Sequence, residues 1–202
     1  MEIGDCMGKE QLEEFNHLVE LQKELTTMGI KYWDQYSSYN DWHFWFLVVL
    51  CILPLIVLFI FMDRRRMLYL GFFGFSIHIL QSYADIGASN LGTWTYPYKL
   101  IPFYPISFAL DASLIPVTFI LVYQWTLNRK KNFYLYAMMP TLFFALIAKP
   151  FLIAINITKP GLGGGGWIAY FTLFITGLII AYASKWIADL FEKLLVKETQ
   201  IQ

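Results

Sequence analysis

Charged residues are too scarce in this chain for an ordinary water-facing surface. Asp, Glu, Lys and Arg make up 15% of its 202 residues, where soluble domains carry about 25%. Cysteine is almost lacking: Cys6 and Cys51 stand far apart, which argues against both a disulfide framework and a cysteine-based metal site. No second histidine stands at ligand spacing from His78, so no zinc or other metal site is expected. The glycine run 163–166 is not followed by Lys-Ser or Lys-Thr, which removes a phosphate loop. No basic start leading into a short apolar stretch is seen, so a cleaved signal peptide is not expected. Nothing calls for a cofactor or a nucleic-acid partner.

What the chain has in abundance is apolar and aromatic surface, 57% and 19% of its residues. A helix needs about 20 mostly apolar residues to cross a bilayer, and five runs reach that length: 42–62, 67–86, 105–127, 133–155 and 167–188. Backbone groups in lipid must be paired within their own segment, so each run is expected to be helical despite its β-branched and aromatic residues. The fold class expected is therefore an all-α integral membrane protein, a bundle of five transmembrane helices over 42–188. Basic residues concentrate in the first connection (Arg64, Arg65, Arg66), the third (Arg129, Lys130, Lys131) and the tail (Lys185, Lys193, Lys197). By the positive-inside tendency these face the cytoplasm. The N-terminus is then outside and the C-terminus inside.

Residues 1–41 form an acidic leader, nine Asp or Glu against three Lys for a net of −6. Within it Leu12, Phe15, Leu18, Val19, Leu21, Leu25 and Met28 recur at helical spacing, which predicts an amphipathic helix over 9–28. Its polar face is acidic, so docking on its own bundle or on a sister chain is favoured over the lipid surface. The tail 189–202 keeps an apolar face and extends the fifth helix. Trp33, Trp42, Trp45, Trp94, Tyr96, Tyr98, Tyr104 and Trp167 crowd the expected outer flank, where amphipathic rings anchor at headgroups. The grouping of Trp94, Tyr96 and Tyr98 in one loop leaves an aromatic ligand cage as the alternative.

Three ionisable residues fall inside expected spans: Asp85, Asp111 and Lys149. At about 1.5 Å per residue, Asp85 lies roughly 27 Å and Lys149 roughly 24 Å from the inner starts of their helices, and Asp111 roughly 9 Å below the outer entrance. All three share the outer third of the bilayer, where mutual pairing offsets the cost of burying charge. His78, Gln81 and Asp85 share one helix face, and Ser107 stands four residues before Asp111. Pro116 and Pro150 make the third and fourth helices irregular where the charges sit. The expectation is a polar pocket opening outward. It serves either as a structural ion-pair network or as a binding site for an ion, a proton or a small polar solute. His78 alone reads better as a hydrogen-bonded interior residue than as a metal ligand.

The block from Leu91 through Trp94, Tyr96, Pro97, Tyr98, Lys99 and Leu100 to Pro102, followed by Asp111, Pro116-Val117 and Tyr123-Gln124-Trp125, resembles an uncharacterised family of small five-span membrane proteins of spore-forming Gram-positive bacteria. The resemblance covers about 32–186 and implies that Asp85, Trp94, Tyr96, Pro97, Asp111 and Gln124 are characteristic positions. It brings no catalytic motif, and Lys149-Pro150 departs from the Glu-Pro that the family favours. It implies a location in the cell membrane or the spore inner membrane. An integral membrane scaffold, or a subunit of an envelope or spore-membrane assembly, is the first expectation, with a homo-oligomer or other membrane proteins as partners. A conductor or sensor of a small solute or ion is the second. Paired Asp residues could serve acid/base chemistry, but no serine-nucleophile motif or metal set supports a lipid enzyme.

Overall fold

A computed structural model describes residues 8–161 and 166–199; the ends of the leader and tail and most of the glycine run lie outside them. Among the described residues the fold is all-α apart from one two-residue ladder. Helix α1 spans Lys9–Tyr36, eight residues beyond the expected end of the leader helix. Helix α2 (Trp42–Phe61) starts where the Asp41 side chain accepts the His43 amide at 2.8 Å, a cap that satisfies one of the free donors of a first turn. A 3₁₀ turn (Arg64–Arg66) leads into α3 (Met67–Asn90). Strand β1 (Trp94–Thr95) follows, then a π-helical turn over Leu110–Leu114 that runs on into α4 (Ile115–Arg129). Three short helices, α5 (Phe133–Tyr136), α6 (Met138–Phe143) and α7 (Lys149–Ala154), are joined through a second π turn at Phe144–Ala148. Strand β2 (Lys159–Pro160) and the long α8 (Trp167–Thr199) complete the described chain.

Four helical stretches are long and apolar enough to cross a membrane: Trp42–Phe61, Leu110–Arg129, Phe133–Ala154 and Trp167–Leu194. This is the composition of a membrane protein. Helix α3 has comparable length, 24 residues, but spends part of its surface on Ser76, Gln81, Ser82 and Asp85. It is the interior helix of the bundle and packs on both α4 and α8. The close approach to α4 is made at Gly74, where a Cβ would come within 2.2 Å of the Ile120 Cδ1 atom.

Several expected boundaries shift. Helix α3 runs four residues past 86. The run expected to be helical from 105 begins with bends, and its helix starts at 108: a turn closed by the Tyr104 amide on Ile101 O at 3.2 Å precedes it, and Pro105 disfavours the helical conformation at Tyr104. The 133–155 run is one rod in three pieces rather than a uniform α-helix. The tail continues α8 as expected.

The core divides into two layers. One sits around Phe73, Ile77, Ile120, Tyr123 and Phe133, near the arginine turn. The other lies around Leu47, Trp94, Tyr96, Leu110 and Ile157, under the ladder. In that ladder β1 and β2 pair antiparallel, Trp94 opposite Pro160 and Thr95 opposite Lys159. The Gly161 amide extends it by donating to Thr93 O at 2.9 Å. A Cβ on Gly161 would stand 1.5 Å from Gly92 O and 2.6 Å from its carbonyl carbon. Because both neighbours are backbone, Gly161→Ala is expected to destabilise the fold by about 1–3 kcal/mol, read as a lowered unfolding midpoint in detergent. An unchanged midpoint would mean that the ladder bears little of the stability.

Candidate functional site

Both π turns stop one residue short of a proline, and this places the site. The Ile115 amide bonds Leu110 O, five residues back. The next bond in that pattern would run from residue 116 to Asp111 O, and Pro116 has no N–H to give. The freed carbonyl accepts instead from His78 Nδ1 at 2.8 Å, which fixes the tautomer of that ring because a carbonyl can only accept. The same device recurs in the other rod: the Lys149 amide bonds Phe144 O, and Pro150 ends the series. Each π turn inserts one residue into its helix, and such bulges are frequent at functional sites. Here the first carries Asp111, and Lys149 directly follows the second.

Those two side chains meet Asp85 of α3 around a cavity of about 50 Å³, which Gln81, Trp94, Tyr96 and Thr158 also line. Asp85 and Asp111 are 1% and 2% exposed. Asp85 Oδ1 accepts from Trp94 Nε1 at 2.5 Å and from the Tyr96 hydroxyl at 2.9 Å. Asp111 faces Asp85 and the Gln81 amide, and Lys149 is the cation in the cavity lining.

The expected pairing of Lys149 with the carboxylates takes another form. Among the described residues, the lysine or arginine in an ion pair is Lys185, with Asp189, and the His43 ring meets the Asp41 carboxylate. Lys149 Nζ lies instead over the Trp94 ring, 4.3 Å from its centroid. One indole thus donates its N–H to Asp85 and offers its negative face to the ammonium, so it joins anion to cation without contact between them.

Trp94 and Tyr96, expected as headgroup anchors, are both 8% exposed. They turn inward because a buried carboxylate needs donors, and the ladder holds Trp94 over the bundle. Trp42, Trp45 and Trp167 remain exposed, as anchors do. Tyr98 does not reach the cavity and stacks on His43 at 3.6 Å. Ser107 is buried at the start of its helix, where its carbonyl accepts the Leu110 and Asp111 amides, and it does not line the cavity.

Thr158 escaped the sequence reading, since a threonine beside a glycine-rich link carries no signal of burial. A second polar cluster escaped it too. At the arginine end, Asp189 Oδ1 accepts from the Tyr69 hydroxyl at 2.6 Å and the Tyr123 hydroxyl at 3.1 Å. Lys185 bonds the other Asp189 oxygen and lies over the Tyr123 and Tyr134 rings. Lys185 and Asp189 read as flanking charges of a span end, and only the fold brings tyrosines to them.

Three of the buried side-chain atoms without a hydrogen-bond partner in the protein belong to residues of this cavity: Asp85 Oδ2, Asp111 Oδ2 and Thr158 Oγ1. No group of three or more His, Cys, Asp or Glu among the described residues is placed to hold a metal ion. Comparison with protein-family models, curated proteins and solved structures returns no match.

Proposed function

We propose that this chain is a five-span membrane protein that binds a proton or a small monovalent cation in the cavity beneath its ladder, as a sensor or conductor. In this reading α3 is the fifth span, the ladder end faces the exterior, and the arginine end faces the cytoplasm, as the distribution of Arg and Lys favours. A location in the cell membrane or the spore inner membrane is part of the same proposal, and its support is the resemblance to five-span proteins of spore-forming bacteria.

The observation that carries the proposal is the set of unpartnered oxygens on the two carboxylates and Thr158. A network built only to fix helix register is stable when its members satisfy one another, and this one leaves three acceptors over. Two carboxylates and one ammonium carry a formal excess of one negative charge, which a proton or a monovalent cation neutralises. A cavity of about 50 Å³ has room for an ion or a water molecule and is well below the roughly 300–1,000 Å³ of small-molecule sites.

The test is thermal unfolding in mild detergent against Li⁺, Na⁺ and K⁺ at constant ionic strength, and against pH, for the native chain and for Asp85→Asn and Asp111→Asn. A ligand at 100 times its Kd stabilises by about 2.7 kcal/mol. The native midpoint is expected to rise with one cation or with acid, and the Asn variants are expected to lose that response. Flat curves for the native chain under every condition would rule the binding reading out. Ion flux in reconstituted vesicles then separates conduction from sensing.

A second reading, membrane scaffold or assembly subunit, is favoured by α1. Trp33 Nε1 donates to Lys99 O at 2.7 Å and the Ser37 hydroxyl accepts the Lys99 amide at 2.9 Å, so the last turns of α1 dock on the 91–104 loop. No residue of α1 is buried, and Leu18, Leu21, Leu25, Met28 and Tyr32 are all exposed. Their alternating spacing of three and four is that of a coiled-coil seam. A mass in detergent of two or more chains, reduced to one by Leu21→Glu with Leu25→Glu, is the outcome that would support it.

A further inference from the structure

At the end opposite the ladder a cleft of about 650 Å³ is lined by Arg64, Arg65, Arg66, Tyr69, Leu127 and Glu192, among others. Its size lies within the range of about 300–1,000 Å³ typical of small-molecule sites. We infer that this cleft binds a phosphate-bearing anion, the headgroup of an anionic phospholipid.

The turn that presents the three arginines is fixed from below. The Gln124 side chain accepts the Asp63 amide at 2.7 Å and donates to Phe61 O at 2.8 Å. Asp63 Oδ1 accepts the Arg65 amide at 3.0 Å, which caps the turn, and Asp63 does not line the cleft. Arg66 donates to Asn128 Oδ1 at 3.3 Å, and Arg64 lies 5.5 Å over the Phe59 ring. Both neighbours are neutral. None of the three guanidinium groups is in an ion pair among the described residues.

Helix α3 begins in the same cleft, with Arg66 at its N-cap and no side chain capping its first turn. Asp, Asn, Ser or Thr is the usual choice there, because the helix start carries partial positive charge and free amides. An arginine adds to that charge instead of offsetting it. Glu192 is the one carboxylate in the lining, which leaves an excess of two positive charges. Guanidinium forks and a helix N-terminus both match phosphate oxygens.

What lies beside the cleft favours a lipid over a free ion. Met67 and Leu68 also line it, and Leu68 is 86% exposed. An acyl chain running down these side chains keeps them dry while its headgroup fills the basic part. Arginines flanking a span set orientation in general; a cleft, an uncapped helix start and an adjoining apolar strip add a binding geometry to that role. The inference rests on the bundle lying in a bilayer, and it is independent of the cavity beneath the ladder.

The experiment is native mass spectrometry of the full chain in mild detergent with equimolar phosphatidylglycerol and phosphatidylcholine, in parallel with thermal unfolding in inorganic phosphate or chloride at equal ionic strength. Phosphatidylglycerol is expected to be retained in preference. Arg65→Gln is expected to weaken that retention about five-fold, the worth of roughly 1 kcal/mol per basic residue near an anionic surface. Glu192 is exposed, so Glu192→Gln leaves folding unthreatened and is expected to strengthen retention. That gain cannot come from misfolding. If inorganic phosphate alone stabilises the chain and displaces the lipid, the ligand is free phosphate in the same cleft. Equal retention of both lipids with no response to phosphate, or retention unmoved by Glu192→Gln, would overturn the inference.

Discussion

Trp94→Ala is expected to lower the stability of the protein by about 3–5 kcal/mol, the largest effect of any single substitution at the ladder end. Removing a buried indole from a core leaves a cavity, and here three further losses coincide. Asp85 loses its 2.5 Å donor, Lys149 loses the ring beneath its ammonium, and β1 loses half its side chains. Trp94→Phe separates these. It keeps an aromatic face and the packing but removes the N–H, so Asp85 Oδ1 retains Tyr96 alone. The cost expected is about 1–3 kcal/mol, that of a buried acceptor deprived of one donor. Chemical unfolding in detergent, followed by fluorescence of the remaining tryptophans, reads both. Equal stability of native chain and Trp94→Phe would mean that the indole N–H does not hold Asp85.

Lys149→Met is the second large effect expected, about 3 kcal/mol. It removes the only ammonium that lines the cavity of the two buried carboxylates, and stripping a counter-charge from a buried anion is costly because the anion remains desolvated. The stem of Lys149 is replaced by a side chain of similar length, so little of the loss comes from packing. The decisive measurement is a double-mutant cycle. If the ammonium acts through charge, Asp111→Asn in the Lys149→Met background is expected to restore part of the stability, with a coupling of about 1–3 kcal/mol. Additive losses would instead assign Lys149 to Trp94 alone.

The elements of this fold that could be read in advance are those on which lipid leaves the chain no choice. Long apolar runs become helices because a bilayer offers no other backbone partner, and Trp42–Phe61 starts and stops within a residue of its apolar run. Depth counted at 1.5 Å per residue puts Asp85, Asp111 and Lys149 at one level, and the three line one cavity. The manner of their meeting was hidden. Hydropathy says nothing about which way a loop tryptophan turns, and an aromatic residue near a span end defaults to an anchor. Trp94 and Tyr96 turn inward only because the 87–104 segment folds back over the bundle to pair with residues 159 and 160, a contact between distant parts of the chain.

The π turns lie between these cases. Pro116 and Pro150 signalled irregular helices, but a proline alone does not say whether the helix bends, tightens or widens. The widening depends on the residues before it, where five-residue bonds close at Ile115 and Lys149. Lys185 and Asp189 were hidden for a different reason. Four residues apart at the edge of a span, they fit a solvent-facing pair, and the hydroxyls of Tyr69 and Tyr123 that hold Asp189 come from two other helices.

The extra residue in each widened turn also sets the phase of everything after it. Deleting one amino acid within 110–114 would let the rod close as a plain α-helix, and every later side chain would swing by about 100°, the angle per residue at 3.6 residues per turn. Tyr123 and Gln124 would then leave Asp189 and the arginine turn together. Among related sequences, a one-residue gap at that place would therefore mark chains in which both ends of the bundle have been rewired at once.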